Sequence, residues 1–423
     1  WEYLYKVIVL SNQSLEILGE LRQKTDYNDL DRYEAEVRAL RAMYYYYLVD
    51  MFGRVPLIVS SSIPVKDVRQ SDRKEVFDFV VKELQESLLL LSTAHSNSPG
   101  DYYGRITRPV VYFLLAKLAE VFTDNDWTDG LRPNGREIYF RVGERKLNAW
   151  QTVVAYCDSI TDLNYSLSPN YADNFSVFNE SSGENIFTIP MDKNLYTSQM
   201  QYLFRSRHYN HAKAYGLGGE NGSCATIEAL RVFAYGTDSV DTRFYENYYA
   251  DTMFDLNGDT IRLDNGTPLV YLPLEVRLDL SRLPAEKTAG ARMKKYEIDK
   301  MGTKDGKLSD NDIVLFRYAD VLLMRSEAKV RNGENGDEEL NAVRFRVGML
   351  PRKATLENIL AESQLELAWE GWRRQDLVRF GKFTRPYTDR PQLPHESNGY
   401  TTVFPIPDKV RSLNPNLIQN PGY

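Results

Sequence analysis

Three glutamates near the C-terminal end are spaced for acid–base chemistry. Glu362, Glu366 and Glu370 recur at every fourth position, so a helix over 355–371 would place them along one face. Two carboxylates on opposite sides of a sugar are what a glycosidase needs. However, cations follow at once in the sequence, and structural ion pairs use the same residue types. We therefore predict a structural ion-pair cluster and no catalytic residue. Its predicted members are Glu362, Glu366, Glu370, Arg373, Arg374, Asp376 and Arg379.

Other catalytic and metal-binding patterns are missing from the sequence. It contains no GxSxG, P-loop, HExxH or GxGxxG motif. His208 and His211 lie three positions apart, a spacing that could hold a metal on a helix, but 201–216 offers no carboxylate as a third ligand. Cys157 and Cys224 form neither a CxxC motif nor a Cys/His cluster. The sequence therefore predicts neither an enzyme nor a cofactor.

Two turns rich in Asp and Asn resemble fragments of a calcium-binding loop. One contains Asp124, Asp126 and Asp129, and the other spans 255–259. Neither fits the twelve-residue EF-hand, because the glycine is misplaced and no glutamate closes the loop. Asx turns explain both segments without an ion. We predict no metal site, and the first loop is the weak calcium alternative.

The remaining candidate is an aromatic surface with polar neighbours. The chain contains 29 Tyr, whose flat apolar face and hydroxyl both suit a sugar. Trp127 lies in a polar segment without a helical stripe to join, and Tyr102 and Tyr103 lie in another loop. Rings stack on pyranose faces while polar side chains bond the hydroxyls. For every one of these residues, packing within its own loop is the alternative. The binding candidates are Trp127, Tyr102, Tyr103, Arg205, Arg207, His208, Tyr209, Asn210 and His211.

Length and charge narrow the class of protein. The 423 residues could hold two or three domains or one large helical domain. The net charge of -7, without a basic stripe, argues against nucleic acid as a partner. No run of about 18 apolar residues occurs, which argues against a membrane-spanning helix.

Apolar residues at helical spacing predict pairs of helices along the chain, which indicates a tetratricopeptide-like solenoid. The 34-residue consensus of such repeats is absent. Segment 163–311 differs, with short apolar runs between Gly, Asn and Asp, and predicts an insertion of strands and loops. A turn-rich C-terminal loop and tail occupy 384–423.

Four stretches of the sequence resemble one known family. They are ELAWEGWRRQDLVRFG at 366–381, LFRYADVLLMRSEA at 315–328, LRAMYYYYLVDMFGRVP at 40–56, and FPIP followed by NPNLIQNPGY at 404–423. In type and order they resemble the motifs of the SusD/RagB family, surface nutrient-binding lipoproteins of Bacteroidetes. Ser363 departs from the family pattern, which often has Arg there, so a partner for the carboxylates would come from elsewhere in the chain.

The resemblance implies one mainly α domain, a tetratricopeptide-like α-α superhelix of four irregular repeats with a loop-rich insertion. We expect the helix pairs at about 1–51, 72–123, 148–162 with 313–331, and 338–379. The resemblance does not supply site residues, because ligand contacts vary between family members.

The family also implies a function. We expect non-catalytic binding of oligo- or polysaccharide at the cell surface and delivery to a TonB-dependent, SusC-like outer-membrane transporter. A lipid anchor ahead of Trp1 would provide the membrane contact, and we expect the chain to be truncated or processed at that end. The alternatives are a peptide carrier of the RagB type, a tetratricopeptide-like scaffold for partner proteins, and a hydrolase.

Overall fold

The computed structural model describes residues 1–121, 135–195, 206–277, 279, 287–302, 307–387 and 390–423. Its helices are α1 (Glu2–Arg22), α2 (Leu30–Phe52), α3 (Arg73–Ser87), α4 (Arg108–Val121), α5 (Ala149–Thr161), α6 (Tyr209–Ala214), α7 (Ile227–Val232), α8 (Phe244–Asn247), α9 (Tyr318–Arg331), α10 (Asp337–Arg346), α11 (Leu356–Glu366), α12 (Arg373–Arg379) and α13 (Asp408–Leu413). Short 3-10 turns lie between several of them. No helix in these ranges is long and apolar enough to cross a membrane.

The described strands are short and form four antiparallel pairs. They are β1 (Tyr139–Val142), β2 (Arg145–Asn148), β3 (Asn185–Ile189), β4 (Tyr248–Tyr249), β5 (Asp251–Thr252), β6 (Val270–Tyr271), β7 (Arg292–Met293) and β8 (Ile313–Arg317). β1 pairs with β2, β3 with β8, β4 with β7, and β5 with β6.

Packed helices form the main core, in a mainly α, tetratricopeptide-like superhelix. α2 packs between α1 and α3, α4 packs on α5, and α9 packs on α5, α10 and α11. Because α2 has helices on two sides, its buried surface is wider than one stripe. Tyr45 and Tyr46 are therefore buried, whereas Leu40 and Tyr44 are only half-buried. The Tyr46 hydroxyl donates to Gln375 Oε1 at 2.9 Å.

Two expected helices differ in the structure. Residues 313–317, expected as the start of a helix over 313–331, form β8 and pair with β3, so α9 begins at Tyr318. The expected helix over 355–371 ends at Glu366. Trp369 and Gly371 have φ of 66° and 85°, left-handed values that turn the chain before α12. Glu370 therefore lies beyond the helix that holds Glu362 and Glu366.

The C-terminal tail folds back against the loop that follows α2. Asn420 Nδ2 donates to the carbonyl oxygens of Phe52 and Phe404, both at 2.9 Å. Asn414 Nδ2 donates to the Val68 carbonyl at 2.9 Å. The asparagines of the NP motifs thus bond backbone groups that α2 and its loop leave free.

Candidate functional site

A groove with a volume of about 460 Å³ opens in the insertion. Tyr215, Tyr249 and Tyr296 are three of the residues that line it. Charged side chains line it as well, and they are Asp173, Glu246, Lys294, Lys295, Glu297 and Lys300. Aromatic rings beside convergent polar groups are the usual composition of a small-ligand site.

Two of these tyrosines are fixed through their hydroxyls. Tyr296 is buried, its hydroxyl accepts the Val314 N–H at 3.1 Å, and its ring packs edge-on against Phe175 with centroids 5.2 Å apart. The Tyr215 hydroxyl donates to the Phe254 carbonyl at 3.0 Å. Because both hydroxyls are engaged, these side chains offer a ligand their rings more than their oxygens.

His211 packs against two of the groove tyrosines, Tyr215 and Tyr249. Its buried ring meets Tyr215 and Tyr249 edge-on, with centroids 4.7 Å away in each case. The Tyr271 hydroxyl accepts the His208 N–H at 2.7 Å and lies 3.0 Å from His211 Nδ1. Burial, followed by the charges of Arg207 and His208, lowers the pKa of His211 to about 3. The ring is therefore neutral near pH 7, and Nδ1 can accept the Tyr271 proton.

The other residues of segment 206–211, which includes the start of α6, have two roles. Arg207 is buried and its guanidinium carbon lies 5.3 Å from the centre of the Tyr249 ring, a cation–π distance. His208 Nδ1 accepts the Asn210 N–H at 3.1 Å and caps α6, and Asn210 Nδ2 donates to Asp264 at 3.0 Å. Tyr209 is 55% exposed and is not among the residues that line the groove. Thus Arg207 and His211 support the groove, while His208 and Asn210 hold the local fold.

Tyr102 and Tyr103 do not line this groove. The Tyr103 hydroxyl donates to Asp312 Oδ2 at 2.6 Å, so it braces the start of β8. The Tyr102 ring lies 5.4 Å from the guanidinium carbon of Arg32 and 5.7 Å from that of Arg105. Five candidates lie outside the described residues, namely Trp127, Arg205 and the calcium alternatives Asp124, Asp126 and Asp129.

The second calcium-like segment is an Asx turn in the structure. Asp255 Oδ1 accepts the N–H groups of Asn257 at 2.8 Å and Asp259 at 2.9 Å. Its carboxylate thus serves the backbone of its own loop. Among the described residues, no group of three His, Cys, Asp or Glu side chains is placed to hold a metal ion.

The glutamates at 362 and 366 lie at the centre of a buried ion-pair network. Glu366 accepts bonds from Arg243 at 2.8 Å, from Arg317 at 2.6 Å, and from Arg346. Burial raises the pKa of Glu366, but Arg346, Arg317 and Arg243 together hold it well below its usual value. Glu362 accepts bonds from Arg243 at 2.7 Å and from Arg344 at 2.6 Å. Glu366 is thus ionised, and both carboxylates are engaged in hydrogen bonds.

Glu370 extends this network to the edge of the groove. It accepts bonds from Arg317 at 2.7 Å and from Lys295 Nζ at 2.6 Å. Lys295 also donates to the Tyr171 hydroxyl at 2.7 Å and to the Ala368 carbonyl at 2.7 Å. Burial lowers the pKa of Lys295 to about 8, although Glu370 opposes the shift. One buried lysine therefore connects the network to the groove wall.

The expected partners of the three glutamates were wrong. Arg373 donates to the Leu360 carbonyl, Arg374 pairs with Asp50, and Arg379 pairs with Glu327 and Asp376. The turn at Trp369 and Gly371 is the physical reason, because it separates α12 from the face of α11. The cations of the network come instead from the insertion, β8 and α10. They are Arg243, Lys295, Arg317, Arg344 and Arg346.

Comparison with known proteins now places the chain. A family model described as the SusD family matches residues 183–423, more than half of the sequence. The chain belongs to the SusD family. A second model, described as starch-binding and associating with the outer membrane, matches residues 1–119. The two matches together include all four stretches that carry the resemblance, so that interpretation is confirmed.

Individual relatives are similar over nearly the whole chain. The starch-binding protein SusD of Bacteroides thetaiotaomicron is 26% identical, over 96% of this chain and 75% of the relative. The SusD-like protein P25 of Formosa agariphila is 24% identical, over 100% of this chain and 79% of the relative. The similarity thus extends through the insertion as well as the helices.

Solved structures of the family share the fold. A laminarin-binding SusD-like protein has a TM-score of 0.72 and 23% identity, with 100% of this chain and 85% of that chain covered. Surface glycan-binding protein A of Bacteroides thetaiotaomicron, solved with laminarihexaose, has a TM-score of 0.68 and 21% identity, covering 99% and 84%. The predicted tetratricopeptide-like superhelix is thus confirmed.

The sequence interpretation missed the groove tyrosines. Tyr248 and Tyr249 form β4, where side chains alternate between the two faces. Tyr248 is buried, and Tyr249 is half-buried on the opposite side. Two adjacent aromatic residues in a short strand were the available signal, because one of them must face away from the core.

Proposed function

We propose that this protein binds oligo- or polysaccharide in the insertion groove without cleaving it. The observation that supports the proposal is the pair Tyr215 and Tyr249, which His211 packs against and charged side chains surround. The apolar face of a pyranose stacks on a tyrosine ring. Lys294, which lines the groove, is suited to bond the sugar hydroxyls.

The buried carboxylates of the ion-pair network serve structure in this proposal. Hydrolysis needs one carboxyl that gives up a proton and another that assists water or attacks the sugar. Glu362, Glu366 and Glu370 are buried and accept hydrogen bonds from arginine or lysine. Burial and fixed ion pairs suit them to joining the insertion to the helices and not to turning over a substrate.

The relatives support a cell-surface role. One matching family model is described as associating with the outer membrane, and relatives are named for starch, glycan or laminarin binding. We therefore place the protein at the outer face of the outer membrane, held by a lipid anchor. The bound glycan passes to a TonB-dependent, SusC-like transporter. A ligand that is passed on should dissociate readily, so we expect fast release.

A peptide carrier with the same fold is the second candidate. The groove is lined by both acids and bases, including Asp173, Glu246, Lys294 and Lys300, which could pair with the charges of a peptide. Its ring faces also suit aromatic peptide side chains. The two candidates predict different ligands for the same groove.

Isothermal titration with a ligand panel tests the proposal. The panel contains maltohexaose, laminarihexaose and mixed hexapeptides, and a parallel assay measures new reducing ends after incubation with starch and laminarin. We expect binding heat from at least one oligosaccharide, none from the peptides, and no new reducing ends. Heat from peptides alone would favour the carrier, and release of reducing ends would show a hydrolase.

A further inference from the structure

A second groove lies far from the insertion in sequence, between α3 and the hairpin of β1 and β2. Its volume is about 400 Å³. Phe77, Val81 and Phe140 line it, and all three are half-buried against the main core. The Phe77 and Phe140 rings meet edge-on with centroids 6.0 Å apart. Gln85 Nε2 donates to the Arg141 carbonyl at 2.6 Å, which fixes the hairpin to α3.

The hairpin presents one aromatic ring and two cations on its outer face. In the β1–β2 register Arg141 lies opposite Lys146, and Tyr139 is two positions before Arg141. Side chains alternate along a strand, so these three share a face, while Phe140 points to the core. Tyr139 is 55% exposed, and Lys146 Nζ lies 4.7 Å from the centre of its ring.

The acids that line this groove have ion-pair partners, whereas the structure describes no ion pair for the cations of the hairpin face. Asp78 pairs with Lys74 at 2.5 Å, and Glu86 pairs with Arg38 at 2.6 Å. Within the described ranges, the side chains of Arg141 and Lys146 take part in no ion pair. Exposed Arg145 lies opposite Val142, on the other face of the hairpin, and Glu137 and Glu144 are the acids of the hairpin segment. The outer face is thus locally basic in a protein whose net charge is -7.

We propose that the outer face of the hairpin, where Tyr139 and Arg141 border this groove, is a second carbohydrate site and that it takes an acidic oligosaccharide. A pyranose ring stacks on the open side of Tyr139, and its carboxylate or sulfate group pairs with Arg141 and Lys146. A planar guanidinium can bond two oxygens of such a group at once. Stacking selects a sugar over a simple anion, and the two cations select a charged sugar over a neutral one. The site differs in place and in ligand charge from the proposed insertion groove.

Titration of the full chain with three hexasaccharides tests this second site. The probes are hexagalacturonate for the carboxylate form, a sulfated carrageenan hexasaccharide for the sulfate form, and maltohexaose as the neutral reference. We expect one or both anionic probes to bind, with affinity that falls when NaCl rises from 50 to 300 mM, because exposed charges are screened. The stronger probe identifies which anion the site prefers.

Variants on the hairpin face connect binding to these residues. Tyr139→Ala should weaken the affinity for the anionic probe by about 5- to 100-fold, the usual range for losing one stacked ring. The double variant Arg141→Gln and Lys146→Gln should weaken this affinity at least about 10-fold and remove most of its dependence on salt. The exposed Lys213→Gln variant is the matched charge control and should bind like the parent.

Tyr249→Ala distinguishes this proposal from that of glycan binding in the insertion groove. The variant alters only the insertion groove, so it should leave the binding of the anionic probe unchanged. The substituted hairpin side chains are exposed, so equal unfolding midpoints will show that the variants are folded. Unchanged affinity in the double variant, loss of anionic binding with Tyr249→Ala, or no binding of either anionic probe to the parent would overturn the second site.

Discussion

Arg243 Nη1 donates to Glu366 Oε2 at 2.8 Å, although the two residues lie 123 positions apart. The same buried guanidinium bonds Glu362 at 2.7 Å and Asp241 at 2.8 Å. Arg243 belongs to the insertion, whereas Glu362 and Glu366 belong to α11. One side chain therefore joins the loops that form the groove to the helices that support it.

Replacing Arg243 should destabilise the fold. Arg243→Ala leaves buried carboxylates with one cation fewer, and breaking a buried ion pair typically costs about 3–5 kcal/mol in free energy of unfolding. Urea denaturation at pH 7 measures the change. Arg22→Ala is the control, because Arg22 pairs with Asp31 and Glu34 at the surface, and its urea midpoint should stay near that of the parent. Equal midpoints for Arg243→Ala and Arg22→Ala would contradict the role of the network.

The ion-pair network shows how much of the site could be predicted from the sequence. The spacing of Glu362 and Glu366 predicted stacked carboxylates in need of cations, and that requirement follows from local geometry. The cations themselves could not be assigned, because they come from segments distant in sequence, such as Arg243 and Arg317. The neighbouring arginines were the wrong choice because Trp369 adopts a left-handed φ and turns the chain away.

The groove was less predictable than the helices. Helices depend on a periodicity that the sequence displays, but the groove depends on which short strands pair. The composition of segment 206–211 predicted ligand-binding residues, and two of these residues, Arg207 and His211, lie against Tyr249. Tyr249 itself was not predicted, because the local sequence does not determine that β4 pairs with β7.

His211 should make stability depend on pH below neutrality. Burial and the charges of Arg207 and His208 lower its pKa to about 3, whereas the pKa of a histidine in the unfolded chain is near its ordinary value of 6.5. Between these values the unfolded chain binds a proton that the folded chain does not, so the free energy of unfolding falls as pH falls. From pH 6.5 to 5 this histidine accounts for about 2 kcal/mol, since one pKa unit corresponds to about 1.4 kcal/mol.

Urea denaturation at pH 6.5 and pH 5 compares the parent with His211→Gln. We expect the variant to lose about 2 kcal/mol less than the parent over this interval. His395→Asn is the control, because His395 is exposed and has a left-handed φ that Asn tolerates. It should behave as the parent does. The same pH loss in His211→Gln and the parent would refute the buried, neutral imidazole.

Tyr103 should act on stability and not on ligand affinity. Its hydroxyl donates to Asp312 Oδ2, which also accepts from Thr188 Oγ1 at 3.1 Å. Tyr103→Phe removes one donor to a carboxylate, a loss of about 1.5–3 kcal/mol in free energy of unfolding. Tyr102→Phe is the control, because the Tyr102 ring lies over Arg32 and its hydroxyl has no hydrogen bond among the described residues. Weaker oligosaccharide binding by Tyr103→Phe, without loss of stability, would indicate instead that Tyr103 contacts the ligand.

The proposed groove is tested most directly by the affinity of Tyr249→Ala for an oligosaccharide. Isothermal titration compares the parent, Tyr249→Ala and the exposed control Tyr209→Ala, with laminarihexaose and maltohexaose as probes. Loss of one stacking ring should weaken binding by about 1–3 kcal/mol, which is roughly 5- to 100-fold. Tyr209→Ala should bind as tightly as the parent. A folded Tyr249→Ala protein with the parent's affinity would contradict the assignment of this groove as the glycan site.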